Sequence, residues 1–161
     1  MSDDYKDEFI QIVSDKFPKQ PGEDDEIINE GMYGQALCLY LEAEMAKLGY
    51  EAAGCAEDWG WWVGINKDNF KSGLGIYCTS EPPALKTYAV CVLEQGFSKW
   101  SWTKFRKVSR KDEILKLRAD LLSVFENDPE ITVKRISDDP RGVTTPCQSA
   151  VPYPLVCPPR I

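Results

Sequence analysis

Between residues 59 and 93 apolar side chains recur at every second position, in three runs whose connections are too short for a crossover helix. Trp59, Trp61, Val63 and Ile65 alternate with Gly60, Trp62 and Gly64, and Leu74, Ile76 and Cys78 alternate with Gly73, Gly75 and Tyr77. Tyr88, Val90 and Val92 do the same with Thr87, Ala89, Cys91 and Leu93. A period of two is that of a pleated strand. Residues 66–69 and Glu81-Pro82-Pro83 read as the loops between them. Parallel neighbours would need crossovers of a dozen residues or more, so these strands are expected to form an antiparallel meander.

A period of three to four flanks this block. From a plausible N-cap at Asn29, Tyr33, Leu37, Tyr40, Leu41, Met45 and Leu48 share one face, and Gly49 is placed to close the helix with Tyr50 against its last turn. Ser109-Arg110-Lys111-Asp112 has the form of a capping box and opens a second helix bearing Ile114, Leu117, Leu121, Val124 and Phe125, which Asp128-Pro129 ends. The helices are therefore expected near 30–48 and 110–127. Phe9–Val13 reads as a first strand or short helix and Ile131–Ile136 as a final strand. A chain of 161 residues suits one domain. The expected fold class is α+β: one domain over 1–139, with an antiparallel sheet of three to five strands packed against two main helices. Six of the eleven prolines lie in 140–161, which predicts an extended Pro-rich tail with Val151, Tyr153, Leu155 and Val156 lying along the domain surface.

Histidine is absent, which removes Ser-His-Asp and Cys-His relays and every imidazole metal site. The net charge of −7 arises within residues 1–30, where ten acids face three lysines. That segment is expected to present an exposed acidic loop around Asp24, Asp25 and Glu26. Its acidic start resembles no secretion signal, and no apolar run reaches the ~20 residues of a bilayer span, so a cytoplasmic protein with no membrane association is expected. The six cysteines contain no C-x2-4-C pair and are read as reduced thiols that hold no metal.

Glu57-Asp58-Trp59-Gly60-Trp61-Trp62 is the most unusual segment. The alternation assigns Trp59 and Trp61 to the core and leaves Trp62, flanked by small residues, on the opposite face as a partner platform unless a second layer covers it. Glu57 and Asp58 could act as an acid–base pair only across a bulge, since adjacent strand residues point apart. Residues 97–111 interleave Phe97, Trp100, Trp102 and Phe105 with Lys99, Lys104, Arg106, Lys107, Arg110 and Lys111, the composition of a surface for single-stranded nucleic acid. The negative net charge disfavours nucleic acid and leaves a protein contact as the preferred reading of that stretch. Gly73-Leu74-Gly75 lacks the third glycine of a dinucleotide fingerprint.

Tyr33-Gly34-Gln35-Ala36-Leu37, Leu48-Gly49-Tyr50-Glu51 and Glu57-Asp58-Trp59-Gly60-Trp61 together resemble small, mostly uncharacterised bacterial proteins over about residues 28–65. The resemblance implies a bacterial or phage origin and a compact α+β fold, and assigns no catalytic residue. By analogy of size and charge with inhibitors encoded beside toxins, the expected function is non-enzymatic. It is that of an immunity or inhibitor protein, without cofactor, that binds a toxin or defence protein. The residues expected to carry the contact are Trp62, Glu57, Asp58, Asp24, Asp25, Glu26, Trp100, Trp102 and Arg106. The alternatives are a small-ligand or carboxylate-based catalytic cleft at Glu57, Asp58 and Trp62, and single-stranded nucleic-acid binding through 97–111.

Overall fold

The computed structural model describes residues 9–80, 86–93, 98–101, 106–109 and 111–137, of which 98–101, 106–109 and 137 are described by backbone alone. The alternating block forms β3 (Gly60–Lys67), β4 (Phe70–Cys78) and β5 (Thr87–Leu93). To these are added β1 (Phe9–Val13), β2 (Glu51–Glu57) and β8 (Thr132–Ser137) in one antiparallel sheet of order β2-β3-β4-β5-β1-β8. A separate ladder pairs β6 (Ser98–Ser101) with β7 (Arg106–Ser109). The helices are a single turn, α1 (Glu23–Glu26), and two longer ones, α2 (Gln35–Lys47) and α3 (Lys111–Asn127).

The sheet has six strands where three to five were expected. The additional one is β2, whose sequence Glu-Ala-Ala-Gly-Cys-Ala-Glu holds no β-branched or aromatic residue and so carries no strand propensity of its own. It forms because a two-residue turn, Asp58–Trp59, folds it back on β3 with Glu57 opposite Gly60. That turn also corrects the placement of Trp59, which leaves the strand and does not share the core face of Trp61.

Trp61, Val63, Ile65, Leu74, Ile76 and Val90 project from one face of the sheet into a core completed by Leu37, Leu41 and Met45 of α2 and by Leu117, Leu121 and Phe125 of α3. On the opposite face Phe9, Trp59, Trp62, Ala89, Cys91 and Leu93 form a second buried cluster that contains no helical residue. The period of two therefore sorts β3, β4 and β5 onto the two faces as their sequences require.

α2 begins at Gln35, five residues later than a helix near 30 would, and its N-cap is Gly34, not Asn29. Gly31 and Gly34, with φ of 86° and 156°, hold the preceding backbone outside helical geometry. The closing turn follows the expected pattern. Gly49 has φ 88°, its N–H reaches the Ala46 carbonyl at 3.0 Å, and the Tyr50 N–H reaches that of Met45 at 3.1 Å. Leu48, expected on the buried face, is 40 % exposed because it lies past the last helical residue. All five apolar residues expected to face inward from α3 are buried. β8 starts one residue later than expected and carries a bulge where its register with β1 shifts between Gln11 and Ile12. A bulge and the exposed Lys134 and Arg135 on an outer strand discourage edge-to-edge pairing.

Cys38, Cys78 and Cys91 are not in disulfides, whereas Cys55 is disulfide-bonded. The reading of six reduced cysteines is thereby corrected. Cys147 and Cys157, with the Pro-rich tail, lie outside the described residues. Among the described residues no helix is long and apolar enough to cross a membrane.

Candidate functional site

The acidic segment is built around a carboxylate that does not face solvent. Glu23 is 1 % exposed. Its Oε1 accepts hydrogen bonds from the N–H groups of Gly34 at 2.7 Å and Gln35 at 2.8 Å, and its Oε2 accepts one from Gln20 at 2.8 Å. The Gly34 and Gln35 amides are the first of α2, where unpaired donors and the positive end of the helix dipole favour an anion. Glu23 thus takes the capping role that Gly34, without a side chain, leaves open.

The loop that follows is braced twice more. Asp24 pairs with Lys19 and accepts the Tyr33 hydroxyl at 2.7 Å, contacts that hold its carboxyl below the usual carboxylate range, with Lys19 the larger cause. Asn29 donates through Nδ2 to the Asp58 carbonyl at 2.6 Å, so the 24–30 loop and the β2–β3 turn lie side by side. Asp24, Asp25 and Glu26 on one element and Glu57 and Asp58 on another, separate in sequence, are brought to one end of the molecule. Asp25, Glu26, Glu30 and Asp58 are exposed there, with Ile28 among them at 61 %. Burial raises the Glu57 carboxyl above its ordinary range, and the neighbouring Asp58 charge adds to that.

Trp62 lies on the second face but is 3 % exposed, so the expected open platform is not formed. Its ring covers Gly73 of β4, where a Cβ would stand 1.9 Å from Cη2. Gly73→Ala should therefore displace the indole and cost about 2 kcal/mol or more, and Trp62→Leu in the same chain should recover part of it. Urea unfolding of both single variants and the double variant checks this, and additive losses would show that the two residues do not share the space. Trp59 packs on Tyr77 with ring centroids 4.9 Å apart, and its buried Nε1 has no hydrogen-bond partner. In the β6–β7 ladder Trp100 stands opposite Lys107 and Ser101 opposite Arg106; Trp102 lies outside the described residues.

Other carboxylates hold the fold. Glu42 accepts the Gly54 N–H at 2.7 Å, Asp120 the Tyr50 hydroxyl at 2.7 Å, and Asp128 the Tyr40 hydroxyl at 2.9 Å and the Lys16 ammonium at 2.7 Å. A cleft of about 560 Å³ opens between the C-termini of α2 and α3, and its acids and bases are paired with one another, Lys16 with Asp128 and Lys47 with Glu44. No group of three or more Cys, Asp or Glu side chains with metal-binding geometry occurs among the described residues.

Sequence reasoning did not single out Glu23 or Ile28, and it reads Asn29 only as an N-cap. Glu23 stands in a run of four acids that nothing local distinguishes, and its role depends on Gly34 eleven residues away. Comparison of the chain with family models, curated proteins and solved structures gives no significant match.

Proposed function

We propose that the chain is a non-enzymatic protein-binding factor, of the immunity or inhibitor kind, that docks its acidic end onto a basic surface of a partner protein. The observation that carries the reading is the 24–30 loop: three hydrogen bonds to Glu23 and one from Asn29 fix it, and Asp25, Glu26, Glu30 and Ile28 are all exposed along it, Ile28 at 61 %. A fixed loop loses little conformational entropy on binding, its carboxylates steer a cationic partner, and a single apolar side chain among them supplies a desolvated anchor. The hydrogen bonds that occupy Glu23, Glu42, Asp120 and Asp128 further support binding over carboxylate catalysis.

The test is affinity capture from the source cell with the full chain, followed by association kinetics with the captured partner. Asp25→Asn with Glu26→Gln should slow association about tenfold at low salt, as should ~0.5 M salt on the unaltered chain. Ile28→Ala should chiefly raise the off-rate, by a factor that corresponds to about 1–2 kcal/mol. A partner whose kinetics ignore all three changes would place the contact elsewhere and end this reading.

A further inference from the structure

We propose that the cleft between the C-terminal ends of α2 and α3 binds a linear polyamine, a chain of ammonium groups joined by short alkyl segments. The cleft encloses about 560 Å³, a volume within the range of small-ligand sites. Its ionisable lining sets three carboxylates, Glu44, Asp128 and Glu130, against two ammonium groups, Lys16 and Lys47. Both helices end there, and the negative ends of their dipoles add to the surplus. A cation is therefore the charge this cleft favours.

The surroundings of Lys16 show how an ammonium group is held here. Its Nζ lies 2.7 Å from Asp128 and 3.2 Å from Glu130, and it stands 4.9 Å from the centre of the Tyr40 ring. Asp128 is largely buried, accepts the Tyr40 hydroxyl at 2.9 Å, and is held below the usual carboxylate range chiefly by Lys16. Glu130 shares that same ammonium, and its carboxylate is 69 % exposed. One turn along α2 from Tyr40, Glu44 is paired with Lys47 at 2.6 Å, and this lysine is itself 69 % exposed, so the pair is weakly held. One cleft thus offers two carboxylates to incoming ammonium groups: Glu130, which has half a partner, and Glu44, whose partner is easily displaced. Val124, Pro129 and the half-exposed Leu48 supply apolar surface for the alkyl segments between them. A single ammonium meets one of the two carboxylates, whereas a polyamine reaches both. A metal ion is a poorer fit, since among the described residues no three Cys, Asp or Glu side chains share metal-binding geometry. The cleft lies at the opposite end of α2, 13 residues and about 20 Å long, from the acidic loop, so polyamine binding stands or falls separately from partner docking.

Isothermal titration of the full chain with spermidine at low ionic strength should show one saturable site, and propylamine, with one ammonium, should bind at least tenfold more weakly. Glu44→Gln and Glu130→Gln should each weaken spermidine binding at least threefold, and together at least tenfold. Asp25→Asn with Glu26→Gln, at the other end of the molecule, should leave it within twofold. Lys47→Gln removes the resident competitor for Glu44 and should tighten binding at least twofold, while Lys134→Gln, the same change of charge on the exposed surface of β8, leaves it unaltered. The absence of saturable binding would overturn the proposal. So would an equal loss on neutralising Asp25 and Glu26, because the amine would then follow the net charge of −7 and not the cleft. If thermal unfolding shows that the double Glu44 and Glu130 variant is not folded, the two lysine variants decide alone, and a Lys47→Gln affinity no tighter than that of Lys134→Gln would equally overturn it.

Discussion

Glu23→Ala should lower the unfolding free energy by roughly 3–5 kcal/mol, an effect as large as the loss of a core side chain, although the residue stands in the most acidic stretch of the surface. The change removes the acceptor of three backbone N–H groups at once, and one of these, that of Gly34, is buried. Hydrogen bonds to an ionised acceptor are each worth about 1.5–3 kcal/mol, and a buried donor left alone forfeits its solvation as well. Glu23→Gln separates the contributions: it keeps one carbonyl oxygen for Gly34 and Gln35 but turns an amide N–H toward that of Gln20, and should lose an intermediate amount. Thermal unfolding of the two variants, with Asp25→Ala as an exposed control within about 0.5 kcal/mol of the unaltered chain, measures this. Equal small losses for all three would mean that the Glu23 contacts do not order the loop. Because the same bonds fix the 24–30 segment, Glu23→Ala should also weaken partner binding under conditions where the variant is still folded.

How much of this architecture is legible from the chain depends on the range over which each signal acts. The faces of β3, β4 and β5, the inward face of α3 and the glycine closure of α2 all follow from periodicity or from one residue's backbone freedom, and these expectations match the structure. β2 has no such signature, since Glu-Ala-Ala-Gly-Cys-Ala-Glu becomes a strand through its pairing with β3. One of its residues is required by packing: a Cβ at Gly54 would stand 2.0 Å from Cys38 Sγ of α2. The start of α2 differs from the sequence expectation for a related reason. Asn29 has the right chemistry for an N-cap, but the helix starts only at Gln35, where Glu23 serves the first amides from outside the helix, and Asn29 bonds to the β2–β3 turn. Within the candidate site the acidic composition of Asp24, Asp25 and Glu26 was legible, whereas its juxtaposition with Glu57 and Asp58 was not, because one tertiary hydrogen bond creates it. Trp62 reads as exposed or covered with equal ease, since a strand pattern assigns a face and says nothing of what lies over it.

Leu41→Asp should have the largest effect of any single change to α2 and should leave little folded protein at 37 °C. Leu41 is fully buried at the centre of the helix, in the cluster that joins α2 to the Trp61, Val63 and Ile65 face of β3. The substitution removes about 2–3 kcal/mol of apolar burial. It also places a carboxyl among the apolar side chains of the core cluster, so the group is either buried charged or must take up a proton at further cost. Together these exceed about 5 kcal/mol, the order of the total stability of a domain of this size. Leu41→Ala isolates the packing part and should cost about 2–5 kcal/mol. The difference between the two variants should shrink as pH falls toward 4, because a buried Asp whose pKa is raised in the fold destabilises it least where the carboxyl is already protonated in the unfolded chain. Urea denaturation of both variants at pH 7 and at pH 4 gives the comparison, and an Asp variant no less stable than the Ala variant at pH 7 would show that α2 does not pack on β3 through Leu41.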